Sequence, residues 1–310
     1  MFSETLKLPV RRERWETPDD DFLDLDFFDP SSSNRDLYQS PTILLLHGLE
    51  GSSRAEYILG MLRHVYRMGW RGVALNFRSC SGEINRQERF YHSGETSDLD
   101  WVVGRLHQLR PESPLFIVGF SLGGNVLLKW LGENGETCNP RVRAAVAISV
   151  PFDLELAAHR VDQGVSQIYG RIFLKTLKQK ALLKERRYRG LVDPDVVKRI
   201  TSFAEFDDKV TAPIHHFKSG LDYWSRNSSK KFLSSIRLQT LIIHAEDDPF
   251  LPGPFLPTEI IIQSKWLEAD ISPAGGHVGF VQGKWPWKAM YWAETRTMNF
   301  LSSFVEPLIS

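Results

Sequence analysis

The chain of 310 residues has only two cysteines, Cys80 and Cys138. Two thiols cannot build a disulfide framework, so the composition points to a reducing compartment, and the expected location is cytoplasmic. Neither sign of charge is in surplus, because 38 Lys and Arg balance 38 Asp and Glu. That balance argues against a partner held through phosphate charge, and no nucleic acid is expected. Long apolar runs are missing as well. No stretch nears the roughly 20 residues that span a bilayer. Met1 to Arg11 lacks the apolar centre of a signal peptide. The expectation is a soluble chain with no integral membrane association. Repeats and low-complexity tracts are absent, which removes repeat architectures. What remains is 42% hydrophobic residues, ample for a buried core. At this length a large α/β fold commonly forms one domain.

The most informative segment runs from Phe116 to Asn125. An apolar stretch of strand character, Pro114 to Val118, feeds Gly119-Phe120-Ser121-Leu122-Gly123, and a helical pattern follows from Asn125 to Leu131. A serine on so tight a strand-to-helix turn occupies a sparsely populated backbone region, and the flanking backbone approaches too closely for a Cβ. Gly119 and Gly123 remove those clashes, and the Ser121 hydroxyl projects beside the positive end of a helix. The plain alternative is a glycine-rich turn whose serine merely caps the helix. Partners must decide between the two, because an activated serine needs a base and the base needs an acid.

Both partners occur in the order that such a turn requires, Ser then Asp or Glu then His. The short apolar strand Leu241 to Ala245 runs into Glu246-Asp247-Asp248-Pro249. Carboxylates at the end of a buried strand, before a proline-broken loop, sit where chemistry is placed. Asp248 precedes proline and lies deeper in the loop, so it is preferred as the acid over Asp247 and Glu246. The unused neighbour is then a loop-stabilising or solvated carboxylate. Leu267 to Ile271 reads as the last strand, and Gly275-Gly276-His277 follows. His277 is the candidate base. The strand Pro41 to Leu46 ends in His47-Gly48-Leu49-Glu50-Gly51, the upstream loop that lends one oxyanion donor in such a site. The expected donors are the backbone N–H groups of Leu49 and Leu122. His47 is read as a structural histidine that holds this loop. Cys80 is read as a packing thiol, since the elbow already carries a serine.

Six segments taken together resemble a known family. They are His47 to Ser52, Asn76 to Glu83, His92 to Thr96, Gly119 to Asn125, Asp247 to Phe250, and Gly275 to Phe280. In this order, from about Arg11 to the C-terminus, they resemble the YheT-like esterase family of the α/β-hydrolase superfamily. That family's eukaryotic relatives include phospholipid- and monoacylglycerol-cleaving proteins and yeast ethyl-ester synthases, and they often carry an N-terminal anchor that this chain is expected to lack. The resemblance implies Ser121, Asp248 and His277 as a catalytic triad. It also implies an ester substrate, small-molecule or lipid-like, and no cofactor. Ser79 departs from the pattern, where glycine is more usual.

The expected fold is therefore an α/β-hydrolase, a mostly parallel sheet with helices on both faces and an inserted helical cap. Arg12 to Thr17 and Phe22 to Phe28 flank a Pro-Asp turn and read as a hairpin. Strands at Ile43 to Leu46, Gly72 to Phe77, Leu115 to Val118 and Ala144 to Val150 alternate with helices at Arg54 to Met68, at Thr96 to Leu109 and after Leu122. After Val150 the alternation stops until Leu238, and a last helix is expected over Trp287 to Phe304. The expected division is a core of residues 1–150 and 236–310 with a helical cap at 151–235. In the cap, Ile168, Ile172, Phe173 and Leu177 read as an apolar face packed on the core, followed by a solvated basic end with Lys184, Arg186, Arg187 and Arg189. Asp207-Asp208 reads as an anchor between cap and core. His215-His216 is not read as a metal site, because adjacent histidines diverge and lack ligand-spaced companions.

The chemistry these residues suggest is two-step acyl transfer to water. An acyltransferase that hands the acyl group to an alcohol would use the same residues, and a non-catalytic binding module on this fold is the remaining alternative. Dehalogenase chemistry is disfavoured because the elbow carries serine rather than aspartate.

Overall fold

The computed structural model describes residues 9–30, 40–164, 166–252, 255–282 and 290–305. Its centre is an eight-stranded sheet built from β1 (Arg11–Glu16), β2 (Phe22–Phe28), β3 (Thr42–Leu46), β4 (Arg71–Asn76), β5 (Leu115–Phe120), β6 (Val142–Ile148), β7 (Thr240–Ala245) and β8 (Leu267–Ser272). The strand order is β1-β2-β4-β3-β5-β6-β7-β8. The first two pairings are antiparallel, and every pairing from β4 to β8 is parallel. This is the mostly parallel sheet that the alternation of elements predicts, in the α/β-hydrolase arrangement that the resemblance implies.

The inner parallel strands β3 and β5 read as apolar runs because both faces are covered. Along β3, Ile43 and Leu45 face one core while Leu44 and Leu46 face the other. Along β5, Phe116 and Val118 alternate with Leu115 and Ile117 in the same way. On one face lie α1 (Glu56–Arg67) and the last helix, Trp292–Ser302, which packs on it. On the other lie α2 (Ser97–Leu109) and α3 (Leu122–Asn134). The last helix begins at Trp292, later than the expected Trp287, because a two-stranded pairing of Val281–Gln282 with Met290–Tyr291 precedes it. Trp287 itself lies outside the described residues.

Between β6 and β7 the chain is helical: α4 (Leu154–Val161), α5 (Ser166–Arg187), α6 (Pro194–Arg199), α7 (Phe203–Phe206), α8 (Ala212–Ile214) and α9 (Gly220–Asn227). A π-helical turn, Asp207–Thr211, joins α7 to α8. Among the described residues, no helix is long and apolar enough to cross a membrane.

The expected packing of α5 needs correction. Its buried positions are Ser166, Gly170, Leu174, Leu177, Ala181 and Lys184. These recur every three or four residues, which is the spacing of one helix face. Ile168 and Ile172 fall off that stripe and are 63% and 56% exposed. Lys184 falls on it and is fully buried, not part of a solvated basic end. Its Nζ donates to the carbonyls of Asn85 and Gln87, and burial lowers its pKa to about 8.

A buried ionic web fixes the N-terminal hairpin to the sheet. Arg78, just after β4, donates to Asp21 at 2.6 Å and to both oxygens of Asp98 at 2.7 Å. It also reaches Asp19 at 3.0 Å. A turn, a loop and the start of α2 thereby meet on one guanidinium, whose planar fork suits several carboxylates at once. Ser79 next to it has φ 66°, the left-handed region where glycine is the easy choice. Its hydroxyl is bonded to Asn85, a local tie that a glycine would lack.

Candidate active site

Four strand ends converge at the C-terminal edge of the sheet, where open α/β sheets place their ligands. β5 ends at Phe120, and Ser121 follows with φ 51° and ψ −119°. An L-residue holds such a backbone only where its surroundings enforce it. The enforcement is visible. A Cβ on Gly119 would lie 2.5 Å from the Gly123 carbonyl oxygen, and one on Gly123 would lie 2.6 Å from the carbonyl oxygens of Leu46 and His47. The turn closes only with both glycines. Ser121 N–H donates to Ile148 at 2.8 Å, extending the pairing with β6, and Leu122 opens α3. The first N–H groups of a helix have no partner within it, so that of Leu122 is available to an incoming oxyanion.

The loop after β7 presents Asp248, which is 1% exposed. One of its oxygens, Oδ1, accepts the backbone N–H groups of Phe250 and Leu251, a tight local turn that fixes the carboxylate. The other, Oδ2, lies 2.7 Å from Nδ1 of His277. The imidazole's Nε2 lies 2.8 Å from Ser121 Oγ. Asp247 points elsewhere and accepts the N–H groups of Gly275 and Gly276 at 2.9 and 2.8 Å. It holds the turn that carries His277, so the two adjacent carboxylates divide the work between the ring and its loop. Glu246 is exposed. Phe250 packs edge-on to the His277 ring at 4.8 Å.

On the opposite side, the loop after β3 carries His47 to Gly51. His47 is completely buried. Its Nε2 accepts the Phe77 N–H at 3.1 Å, which leaves Nδ1 as the donor to the Gly48 carbonyl at 2.7 Å. Burial pushes its pKa down to about 4, so it is neutral and holds the loop. Tyr57 accepts the Gly48 N–H at 2.9 Å. Leu49, which follows, lines the same cavity as Ser121, Leu122 and His277. Cys80 lies beneath this loop, and burial pushes its thiol up to about 11, which makes it a packing group.

The cavity over Ser121 is about 330 Å³ and mostly apolar. Its far wall is built by the helices between β6 and β7, with Leu154, Phe173, Leu177, Phe203, Phe206 and Trp224. Asp207, on the π-helical turn, also lines it. The reading of Asp207-Asp208 as an anchor between this helical segment and the sheet is wrong. Asp207 accepts from Trp224 Nε1 at 2.7 Å and Thr211 Oγ at 2.8 Å, and Asp208 accepts from the Gly220 N–H at 3.0 Å. All three bonds stay inside the helical segment. One tie to the rest is made by Asn125, missed as anything but part of the elbow motif. Its amide donates to the carbonyls of Ser93 and Asn227, and its oxygen accepts the Ser229 N–H. Tyr223 adds a bond from the Ser93 N–H at 3.0 Å. A buried asparagine directly after a double glycine was the available signal.

The family described as alpha/beta hydrolase fold matches residues 41–256. The Escherichia coli (strain K12) protein named "Putative esterase YheT" is 36% identical over 99% of this chain and 88% of its own length. This chain belongs to the α/β-hydrolase family, in its YheT-like branch. Within that family, Phospholipase ABHD3 of Mus musculus is 33% identical over 93% of this chain and 71% of its own length. Among solved structures, the Pyrococcus furiosus esterase Pf2001 superposes with TM-score 0.61 at 17% identity. The match covers 96% of this chain and 93% of that one. At that identity the likeness speaks for the hydrolase fold alone.

Proposed function

We propose that the protein is a serine hydrolase that cleaves carboxylic esters through an acyl-enzyme on Ser121. The observation that carries the reading is the unbroken line from Ser121 Oγ through the His277 ring to Asp248. Kinship with proteins named esterase and phospholipase supports hydrolysis as the reaction class. In the proposed sequence, His277 Nε2 takes the proton from Ser121 as its Oγ attacks the ester carbonyl. The N–H groups of Leu49 and Leu122 receive the developing oxyanion. Asp248 keeps the ring in the tautomer that leaves Nε2 free to accept, and it stabilises the imidazolium. The imidazolium protonates the departing alcohol. Water, activated by the same ring, then releases the acid and restores the serine.

The pocket supports a substrate class. A cavity of about 330 Å³ is near the lower end of the roughly 300–1,000 Å³ seen for ligand sites. Its wall of Leu, Phe and Trp side chains suits a short or medium acyl chain. Residues 151–235 would serve as the cap that selects it.

The test is a fluorophosphonate probe followed by a chromogenic ester series running from acetate to long acyl groups. The wild-type protein is expected to label once, and Ser121→Ala is expected not to label and to lose about four orders of magnitude in turnover. Turnover should peak at a short or medium chain. Labelling that survives Ser121→Ala, or equal turnover in that variant, removes the proposal.

A further inference from the structure

Glu50 directly follows Leu49, and two groups from distant parts of the chain, Tyr91 and Lys180, converge on it. Its φ is 53°, a left-handed backbone that a glutamate does not adopt unaided. Its N–H donates to Tyr91 Oη at 2.7 Å, and that hydroxyl donates back to Glu50 Oε1 at 2.7 Å. The same Oε1 receives Lys180 Nζ from α5 at 2.7 Å. Lys180 also sits 5.3 Å above the Tyr91 ring. The pair is nearly dry, with the Glu50 side chain 6% and the Lys180 side chain 15% exposed. Tyr91 is itself fixed, stacked on Phe77 at 5.7 Å.

The same helix touches the acid loop. Near its start, Ser166 Oγ donates to the Pro249 carbonyl at 2.6 Å, one residue beyond Asp248. Fourteen residues of helix, about 21 Å, separate Ser166 from Lys180. One helix therefore braces two of the loops that hold the proposed catalytic groups, those after β3 and β7. An exposed ion pair would add little, but a desolvated one next to a strained backbone fixes geometry.

We propose that Lys180, Glu50 and Tyr91 form a latch that positions the Leu49 N–H for the oxyanion, so that seating of α5 completes the oxyanion hole. This rests on the ester-hydrolase reading above. None of the three is assigned contact with the reacting atoms; they act through the Leu49 backbone. The latch strengthens an interaction made in the transition state, so its loss should lower kcat and leave KM nearly alone. Removing an oxyanion donor outright costs roughly 100- to 1,000-fold. A donor that is loosened rather than lost should cost about 10- to 100-fold.

The experiment uses the full chain with Lys180→Met, Glu50→Gln and the double variant. Each is assayed for kcat and KM on one chromogenic ester and for affinity toward a trifluoromethyl ketone, whose hemiketal oxyanion occupies the hole. The expected result is a kcat loss of about 10- to 100-fold in each single variant and a matching loss of inhibitor affinity. The double variant should be no worse than the worse single one. Lys180→Arg, which keeps the cation, should recover most of the activity. The latch is overturned if kcat and inhibitor affinity stay within threefold in folded Glu50→Gln. It is overturned equally if KM rises while kcat holds, which would place these residues on the substrate. Fluorophosphonate labelling of the wild-type protein separates the two failures. No label at Ser121 removes the hydrolase reading and the latch with it, whereas full label with unchanged kcat in the variants removes the latch alone.

Discussion

Asp207 is the carboxyl in the pocket wall whose ionisation the fold resists most plainly, and Asp207→Asn should reveal the cost as a function of pH. It lines the mostly apolar pocket. Burial raises its pKa from 3.8 to about 6, against the bonds from Trp224 and Thr211 that favour the charged form. The sign follows from which state holds the proton. Below pH 3.8 both folded and unfolded chains are protonated there and no penalty exists. As pH rises the unfolded chain ionises first, so stability falls until about pH 6 and is flat above it. A shift of about two units is worth up to about 3 kcal/mol at pH 7.5 and roughly half of that at pH 5. For 310 residues the unfolding entropy is about 0.65 kcal/mol/K. Asparagine cannot ionise, and its amide can still accept from Trp224 while donating to Thr211. The variant should therefore melt about 4–5 °C above the parent at pH 7.5 and only about 2 °C above it at pH 5. Circular dichroism melts at the two pH values measure this. Any hydrogen bond lost to the amide shifts both melts equally, so the difference between them is diagnostic. An equal shift at both pH values would refute the argument.

The remaining predictions concern the ionic web and the paired carboxylates. Arg78→Ala leaves Asp21 and Asp98, with side chains 0% and 4% exposed, without their cation. A loss of about 3–5 kcal/mol is expected. The urea midpoint reports it, and a change under about 1 kcal/mol would mean that the web is incidental. Asp248→Asn should reduce kcat by about four orders of magnitude, because an amide favours the wrong imidazole tautomer. Asp247→Asn, which keeps an acceptor for the Gly275 and Gly276 N–H groups, should lose less than tenfold. Steady-state kinetics on one ester compares the pair, and equal losses would contradict the division of roles between them.

The sheet and the candidate site were legible for the same reason. The inner parallel strands β3, β5 and β7 are buried on both faces, so their apolar runs stand out locally, and Ser121 and Asp248 sit just beyond the end of such runs. Ser121 follows β5, Asp248 follows β7 and His277 follows β8, within three to five residues in the last two cases. Strand ends and turn glycines are properties of a few consecutive residues. A reader of the chain can find them without knowing which strands pair. The same holds for Ser79, where a residue other than glycine in a left-handed turn showed as a departure from pattern before φ 66° explained it.

The polar contacts that seat the helical segment have no such local mark, because these join residues about a hundred or more positions apart. Asn125 meets Asn227 across 102 residues, Lys184 meets Asn85 across 99, and Lys180 meets Glu50 across 130. No spacing rule reaches that far. Lys184 was nonetheless within reach of helix periodicity: the stripe Gly170, Leu174, Leu177, Ala181 leads to it on the next turn. Charge led the reading outward, while the stripe led inward, and the structure sides with the stripe. A lysine survives there because two loop carbonyls replace its water. The lesson carries to Lys180, one turn earlier on the same helix, where the replacement partner is Glu50. A cation that falls on or beside a buried stripe calls for a search for its anion, and here that search ends at the residue following Leu49.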